Sequence, residues 1–417
     1  MDIKRKEIAG IGIAIILMII MGIIVVLFSN WLTGDMDEDI MTPGVMTSSD
    51  IERNEVRVWY YNDEFTAFLE KASSEYEKER GIKLNYIKVR EENLLESVND
   101  SNISGEDIPD IYIMNSTMLE KAVLAGLTEE NVNTGIYNSK IYSDTAISAV
   151  TYKNRMQAYP LNFDTSFMVY NQSYVQNPPA TFDDIINFSN NLDENISGQV
   201  ENILLWDVKN LIYNYGFAGE YLEYGGKNGD DESIKSFTGD NLIRSMAYYH
   251  NLNQFFSIDI DTETYDDVIS RFSQGKVVYA IVKTNGIKKL EEAENHVAYG
   301  ITGFPDMNGE LKTKTLSVTN VAVVNPYGYD CDISSDAAEF LSYNMAADMY
   351  ECTGKLSPKK DMHYGDERLL MILKQYDKSV NLPKLMEAGD FGAKLESVLN
   401  RIWKGNDALQ SLQELER

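Results

Sequence analysis

The chain has 417 residues, 44% hydrophobic and 24% charged, an ordinary globular composition with room for two or three domains and an ample core. Its 65 acidic and 37 basic residues leave a formal charge of −28, which excludes nucleic acid and anionic membrane surfaces as partners, because both need basic patches. That charge does not demand a cationic ligand, since a solvated acidic surface also keeps an extracellular protein soluble.

Residues 8–28 carry no charge and follow Lys4, Arg5 and Lys6. A helix of that length spans roughly 30 Å of bilayer hydrocarbon, and the basic cluster stays on the cytoplasmic side. The reading is a cytoplasmic stub at 1–7, one transmembrane anchor at 8–32 and a linker at 33–54. A single-pass cell-membrane protein with its N-terminus inside and residues 55–417 outside follows. The competing reading is a cleaved signal peptide, against which Leu27-Phe28-Ser29-Asn30-Trp31 offers a poor cleavage site.

Folded structure is expected to begin at Val56, Val58 and Tyr60, alternating with Arg57 and Trp59 as a short strand. Asn62-Asp63-Glu64 reads as a turn into a helix with Phe65, Phe68, Leu69, Ala72 and Tyr76 on one face and Gly81 as its stop. Ile82, Leu84 and Tyr86 then alternate as a second strand. Strand, helix and strand on short connections form a βαβ unit, and so predict a parallel sheet covered by helices. A buried strand at Pro109-Asp110-Ile111-Tyr112-Ile113-Met114 and its helix repeat the pattern. Further on, Asn162-Phe163-Asp164-Thr165-Ser166 separates Tyr159-Pro160 from a strand at Phe167-Met168-Val169-Tyr170-Asn171. Thr181 with Asp184 makes a capping box for the next helix. Strands at 277–282 and 318–324 follow, and the C-terminal third is largely helical.

Enzyme signatures are missing. His250, His296 and His363 are scattered, without a GxSxG elbow or an HExxH pair. Asp183-Asp184 and Asp266-Asp267 stand at helix starts, where the helix dipole explains them. No CxxC or Cys/His spacing points to a metal, and no cofactor is expected. Cys331 and Cys352 have two open readings, a disulfide closing a loop of about 20 residues or two small buried thiols.

Several segments in one order carry a resemblance. They include Val58-Trp59, the helix end Tyr76-Glu77-Lys78-Glu79-Arg80-Gly81, Ile108-Pro109-Asp110-Ile111 and Ala158-Tyr159-Pro160 with Val169-Tyr170-Asn171. Pro179-Ala180-Thr181-Phe182, Phe272-Ser273-Gln274-Gly275, Gly303-Phe304-Pro305 and Ile402-Trp403-Lys404-Gly405 continue the series. In this the chain resembles the family 1 extracellular solute-binding proteins, the maltose-binding-protein-like receptors of bacterial ABC importers. The resemblance implies an α/β, two-lobed periplasmic-binding-protein-like fold (type II) with an interlobe hinge, here preceded by the transmembrane helix. Lobe 1 is expected at about 55–162 plus 319–365, and lobe 2 at about 166–315 plus 370–417. It further implies no enzyme, but a receptor holding a carbohydrate between closing lobes and delivering it to an ABC permease.

Ligands of open α/β sheets lie beyond the C-terminal strand ends. The strand ends nominate Tyr61, Asn62, Asp63 and Glu64, then Met114, Asn115, Ser116 and Thr117. By the resemblance, Asp63 and Asp164 match ligand-contacting acids, while Trp206, Asp207, Asn285 and Phe391 fall near other contact positions. Carboxylates accept paired hydrogen bonds from hydroxyls, and aromatic faces pack on a pyranose. The same groups also serve a polyamine or other cation, and a surface sensor or adhesin uses the same fold without transport. Each residue has a plainer reading as well: Asp63 as a helix cap, Asp164 as an exposed loop acid, Trp206 as core.

Overall fold

A computed structural model describes residues 54–416, except His296 and the side chains of Glu194 and Asn195. Among the described residues thirteen strands run in chain order: β1 Glu55–Tyr60, β2 Lys83–Lys88, β3 Ile111–Asn115, β4 Thr151–Tyr152, β5 Arg155–Met156, β6 Tyr159–Asn171, β7 Asn202–Leu205, β8 Glu223–Gly225, β9 Asp231–Ser236, β10 Val277–Lys283, β11 Tyr299–Thr302, β12 Leu316–Val324 and β13 Val380–Asn381.

The first βαβ unit forms as its sequence dictates. The helix Phe65–Arg80 buries Phe65, Phe68, Leu69, Ala72 and Tyr76, and ends where Gly81 takes φ 71° and donates its N–H to the Glu77 carbonyl. That left-handed stop is open to glycine at little cost. Parallel pairing of β1 with β2 and β3 follows. The capping box is also present: the Thr181 side chain accepts from the Asp184 N–H, and the Asp184 carboxylate accepts from the Thr181 N–H. Because strand side chains alternate, Val56, Val58 and Tyr60 join the large core while Trp59 faces a second cluster with Tyr112, Leu119 and Val321.

The sheet order β2-β1-β3-β12-β6-β10-β7 divides into two lobes joined by β6 and β12. β12 pairs antiparallel with β3 through Asn320–Val324 and with β6 through Ser317–Ala322. β6 pairs with β12 from Tyr159 to Thr165 and with β10 from Ser166 to Tyr170. Both strands therefore pass from one lobe into the other, which is the arrangement of a hinge. The sheet is mixed rather than parallel. The expected break at residues 162–166 is absent: β6 is one strand of 13 residues, buried throughout. Its polar residues have backbone ladder partners on β12, β10 and β11, so they do not interrupt it.

The membrane anchor expected at residues 8–32 is corrected. No helix among the described residues is long and apolar enough to cross a membrane, and residues 1–53 lie outside those described. Asp240–Phe256, at 17 residues, carries Arg244 and keeps one polar face, whereas a span needs about 20 apolar residues. The single-pass topology, the cytoplasmic N-terminus and attachment to the membrane through this helix are withdrawn with the anchor. Cys331 and Cys352 are free thiols, both partly exposed.

Candidate functional site

Where β6 changes partner from β12 to β10, it carries Asp164. The Asp164 side chain is 6% exposed. Its Oδ1 accepts the Thr284 N–H at 3.0 Å, just past the end of β10. Its Oδ2 lies 3.5 Å from Lys283 Nζ and 3.7 Å from Lys355 Nζ. Lys355 follows the helix Met349–Thr353 and donates to Glu64 at 2.9 Å. Glu64 sits between β1 and the first helix, where it also accepts from Asn320 Nδ2 at 3.5 Å. Asn320 lies on β12 and bonds Asn162 of β6 at 2.8 Å. Two carboxylates and two ammoniums thus form a neutral, nearly buried network at the joint between the lobes.

Burial opposes the charge on Lys355, but Asp164 and Glu64 outweigh it and raise its pKa above the ordinary lysine value. A buried ion pair needs such hydrogen bonding to offset desolvation.

Tyrosines border the network. Tyr213 and Tyr265 stack with ring centroids 5.7 Å apart. Burial raises both phenols well above their usual range, and the nearby Asp164 charge adds to the shift. Lys283 lies over the Tyr265 ring at 5.6 Å, and the Tyr265 hydroxyl donates to Asn285 Oδ1 at 3.0 Å. Gly354 enters the same place from the other lobe. A Cβ there would stand 3.5 Å from Asn285 Cβ and 3.3 Å from Lys288 Cδ. Lys288 Nζ then donates to the Glu351 carbonyl at 2.8 Å.

The residues nominated from sequence divide accordingly. Asp164 and Asn285 meet in the network. Tyr61 borders it, its phenol raised by burial and then by Glu91 and Glu64. Asn115 pairs opposite Asn320 on β12, while Ser116 is buried with no hydrogen-bond partner for its Oγ among the described residues. Asn62 Oδ1 accepts from the Glu64 N–H at 3.1 Å and so shapes the turn that presents Glu64. Asp63 points to solvent and pairs with Lys88. Asp207 is half-buried, and burial raises its pKa while the N–H groups of Lys209 and Asn210 counteract the shift.

Two nominated aromatics stand inside the second lobe. Trp206 is fully buried against Phe217 and Trp403, and its indole N–H donates to Asn214 Oδ1 at 2.9 Å. Phe391 packs on Tyr224 and Phe237. Tyr213, Tyr265, Lys283 and Lys355 escaped sequence reasoning, whereas Glu64 stood among the strand-end residues. The one local signal was a lysine set in Gly354-Lys355-Leu356, among residues that the fold buries.

Two α/β lobes on crossing strands, with polar and aromatic groups converging at their joint, define a hinged binding protein. The chain belongs to the family of bacterial extracellular solute-binding proteins, whose pattern it matches over residues 71–360. Members of that family bind and are not enzymes. Among curated relatives, the maltooligosaccharide ABC transporter solute-binding lipoproteins of two Streptococcus pneumoniae strains are each 22% identical over 341 residues, covering 79% of both chains. Among solved structures, a cyclo/maltodextrin-binding protein complexed with maltotetraose has TM-score 0.75 at 18% identity, covering 88% of this chain and 97% of that one. An extracellular solute-binding protein from Staphylococcus aureus in complex with maltose has TM-score 0.74 at 20% identity, with the same coverages.

Proposed function

We propose that the chain is the solute receptor of an ABC importer and takes a neutral oligosaccharide of the maltodextrin class between its lobes. The observation that carries this reading is the charge-balanced joint: Asp164 and Glu64 are each held by a lysine beside the stacked Tyr213 and Tyr265. Ionised groups so neutralised exchange hydrogen bonds with hydroxyls without presenting net charge, and aromatic rings pack on sugar faces. The named ligands of the relatives support the same class. A polyamine fits less well, because both carboxylates it needs already have ammonium partners.

Contact residues are proposed as Tyr61, Asn115, Asp164, Asp207 and Asn285 from the sequence, with Lys283 and Tyr265 added. Lobe 1 is proposed at about 55–162 plus 319–365, and lobe 2 at about 166–315 plus 370–417. Ligand at 100 times its dissociation constant adds about 2.7 kcal/mol of stability. A thermal-shift panel of maltooligosaccharides and polyamines is expected to show sugars stabilising the chain and polyamines silent. Asp164→Asn is expected to remove the sugar shift. Stabilisation by polyamines alone would overturn the carbohydrate reading.

A further inference from the structure

Lys384 is 2% exposed and lies among none of the network's residues. Its backbone N–H donates to the Gly229 carbonyl at 2.7 Å. Its Nζ donates to the Ser148 carbonyl at 2.7 Å and also to the Asn228 carbonyl. These two carbonyls belong to different lobes. Ser148 is in the helix Asp144–Val150, whose Val150 packs with Trp59 and Tyr112 of the first lobe. Asn228 is in the turn between β8 and β9, where Tyr224 packs on Phe391 of the second.

Neighbouring bonds make the same crossing. The Lys153 N–H donates to Asp230 Oδ2 at 2.8 Å, and Lys153 Nζ to the Asp230 carbonyl. The Met386 N–H donates to Glu120 Oε2 at 2.6 Å, while Glu120 Oε1 accepts from the Tyr152 hydroxyl at 2.8 Å. The turn is built for close approach. Gly229 has φ 65°, and a Cβ on it would stand 3.2 Å from Pro383 Cα.

We propose that the junction around Lys384 is a pH-responsive latch between the lobes, biasing their relative position from outside the ligand cleft. Its basis is the crossing bonds, and it holds whichever solute the cleft takes. A rotation of the lobes about β6 and β12 has to change the separation of Ser148 from Asn228, and so make or break the bonds of one buried ammonium. Burial pushes the Lys384 pKa down to about 8, and Asp230 partly offsets this. Lys153 and Tyr152 face the junction from the β4–β5 hairpin and Glu120 from the helix Leu119–Leu124. Lys227, Asp231, Glu232 and Lys235 lie along β8–β9 and its turn, with Lys235 3.8 Å from Glu387. Tyr152 and Tyr224 have phenols raised by burial and stay neutral through this range.

The linkage has a definite sign. Released to solvent, Lys384 returns to an ordinary pKa near 10.4, so between about pH 8 and 10 the latched form binds fewer protons and gains as pH rises. The latched population relative to the released one is expected to grow about tenfold from pH 7 to pH 9.

The test is pulsed electron resonance on the ligand-free full chain. It uses Cys331→Ser and Cys352→Ser, with spin labels at Ile103→Cys and Leu409→Cys. Wild-type Lys384 is expected to shift the distance distribution toward one conformer as pH rises from about 8 to about 10. Lys384→Met, neutral throughout, and Lys384→Arg, charged throughout, are expected to show no such shift. An unchanged wild-type distribution, or the same pH response in Lys384→Arg, would overturn the latch. The wild-type titration decides the matter even where a variant does not fold.

Discussion

Replacing Lys355 with methionine is expected to destabilise the chain by about 3–5 kcal/mol, because it leaves the nearly buried Glu64 without its ammonium partner and Asp164 with Lys283 alone. Glu64 and Asp164 have side chains 17% and 6% exposed, and Lys355 stands 2.9 Å from one and 3.7 Å from the other. Removing both charges is a different experiment from removing one. Lys355→Met combined with Glu64→Gln and Asp164→Asn is expected to recover much of the loss, since the cost lies in the unpaired charge rather than in the missing pair. The pH window follows from the raised lysine pKa. The interaction is fully present below the ordinary lysine value of about 10.4 and is lost as pH climbs through the higher folded value. Urea denaturation at pH 7 measures the difference. A change under about 1 kcal/mol would mean that the network behaves as a solvated surface pair.

Trp206→Ala is expected to cost a further large amount, about 3–5 kcal/mol from the cavity it leaves. The side chain is fully buried, and its centroid is 5.2 Å from that of Trp403 in an edge-on packing. The loss also leaves Asn214 Oδ1 without its indole donor, in a residue that is itself fully buried, which adds about 1–3 kcal/mol. Denaturation of the ligand-free chain reads this directly. Trp206→Phe is expected to retain more than half of the lost stability. Unaltered stability with sugar binding abolished would instead put the indole on the ligand surface.

How much of this was legible depended on the range of the signal. The helix Phe65–Arg80, its Gly81 stop and the Thr181 capping box are written in neighbouring residues, and each forms as its sequence implies. The continuity of β6 was not legible. Asn162, Asp164, Thr165 and Ser166 look like a polar loop until β12 and β10 supply partners from far along the chain. Those same long-range pairings turned Asp164 from an exposed loop acid into a buried one. The site was half visible for a related reason. Strand ends pointed to Tyr61 and Asn115 and the resemblance to Asn285, but Lys283 and Lys355 reach Asp164 from far along the chain, and no period or spacing joins them to it. Trp206 and Phe391 were nominated because aromatic rings suit both sugars and cores, and burial decides between the two surroundings.

The uncharged run at residues 8–28 teaches a different lesson. Its composition alone carried the anchor, and nothing among the described residues supports a membrane span. The receptor reading does not depend on it. It stands on the crossing strands, the charge-balanced joint and the family to which the chain belongs.

Isothermal titration of the full chain with maltotetraose, at neutral pH, tests the central claim most directly. One saturable site per chain is predicted, with binding abolished by Asp164→Asn while the fold persists. Absence of heat with maltotetraose and shorter maltooligosaccharides, together with saturable binding of a polyamine, would contradict it.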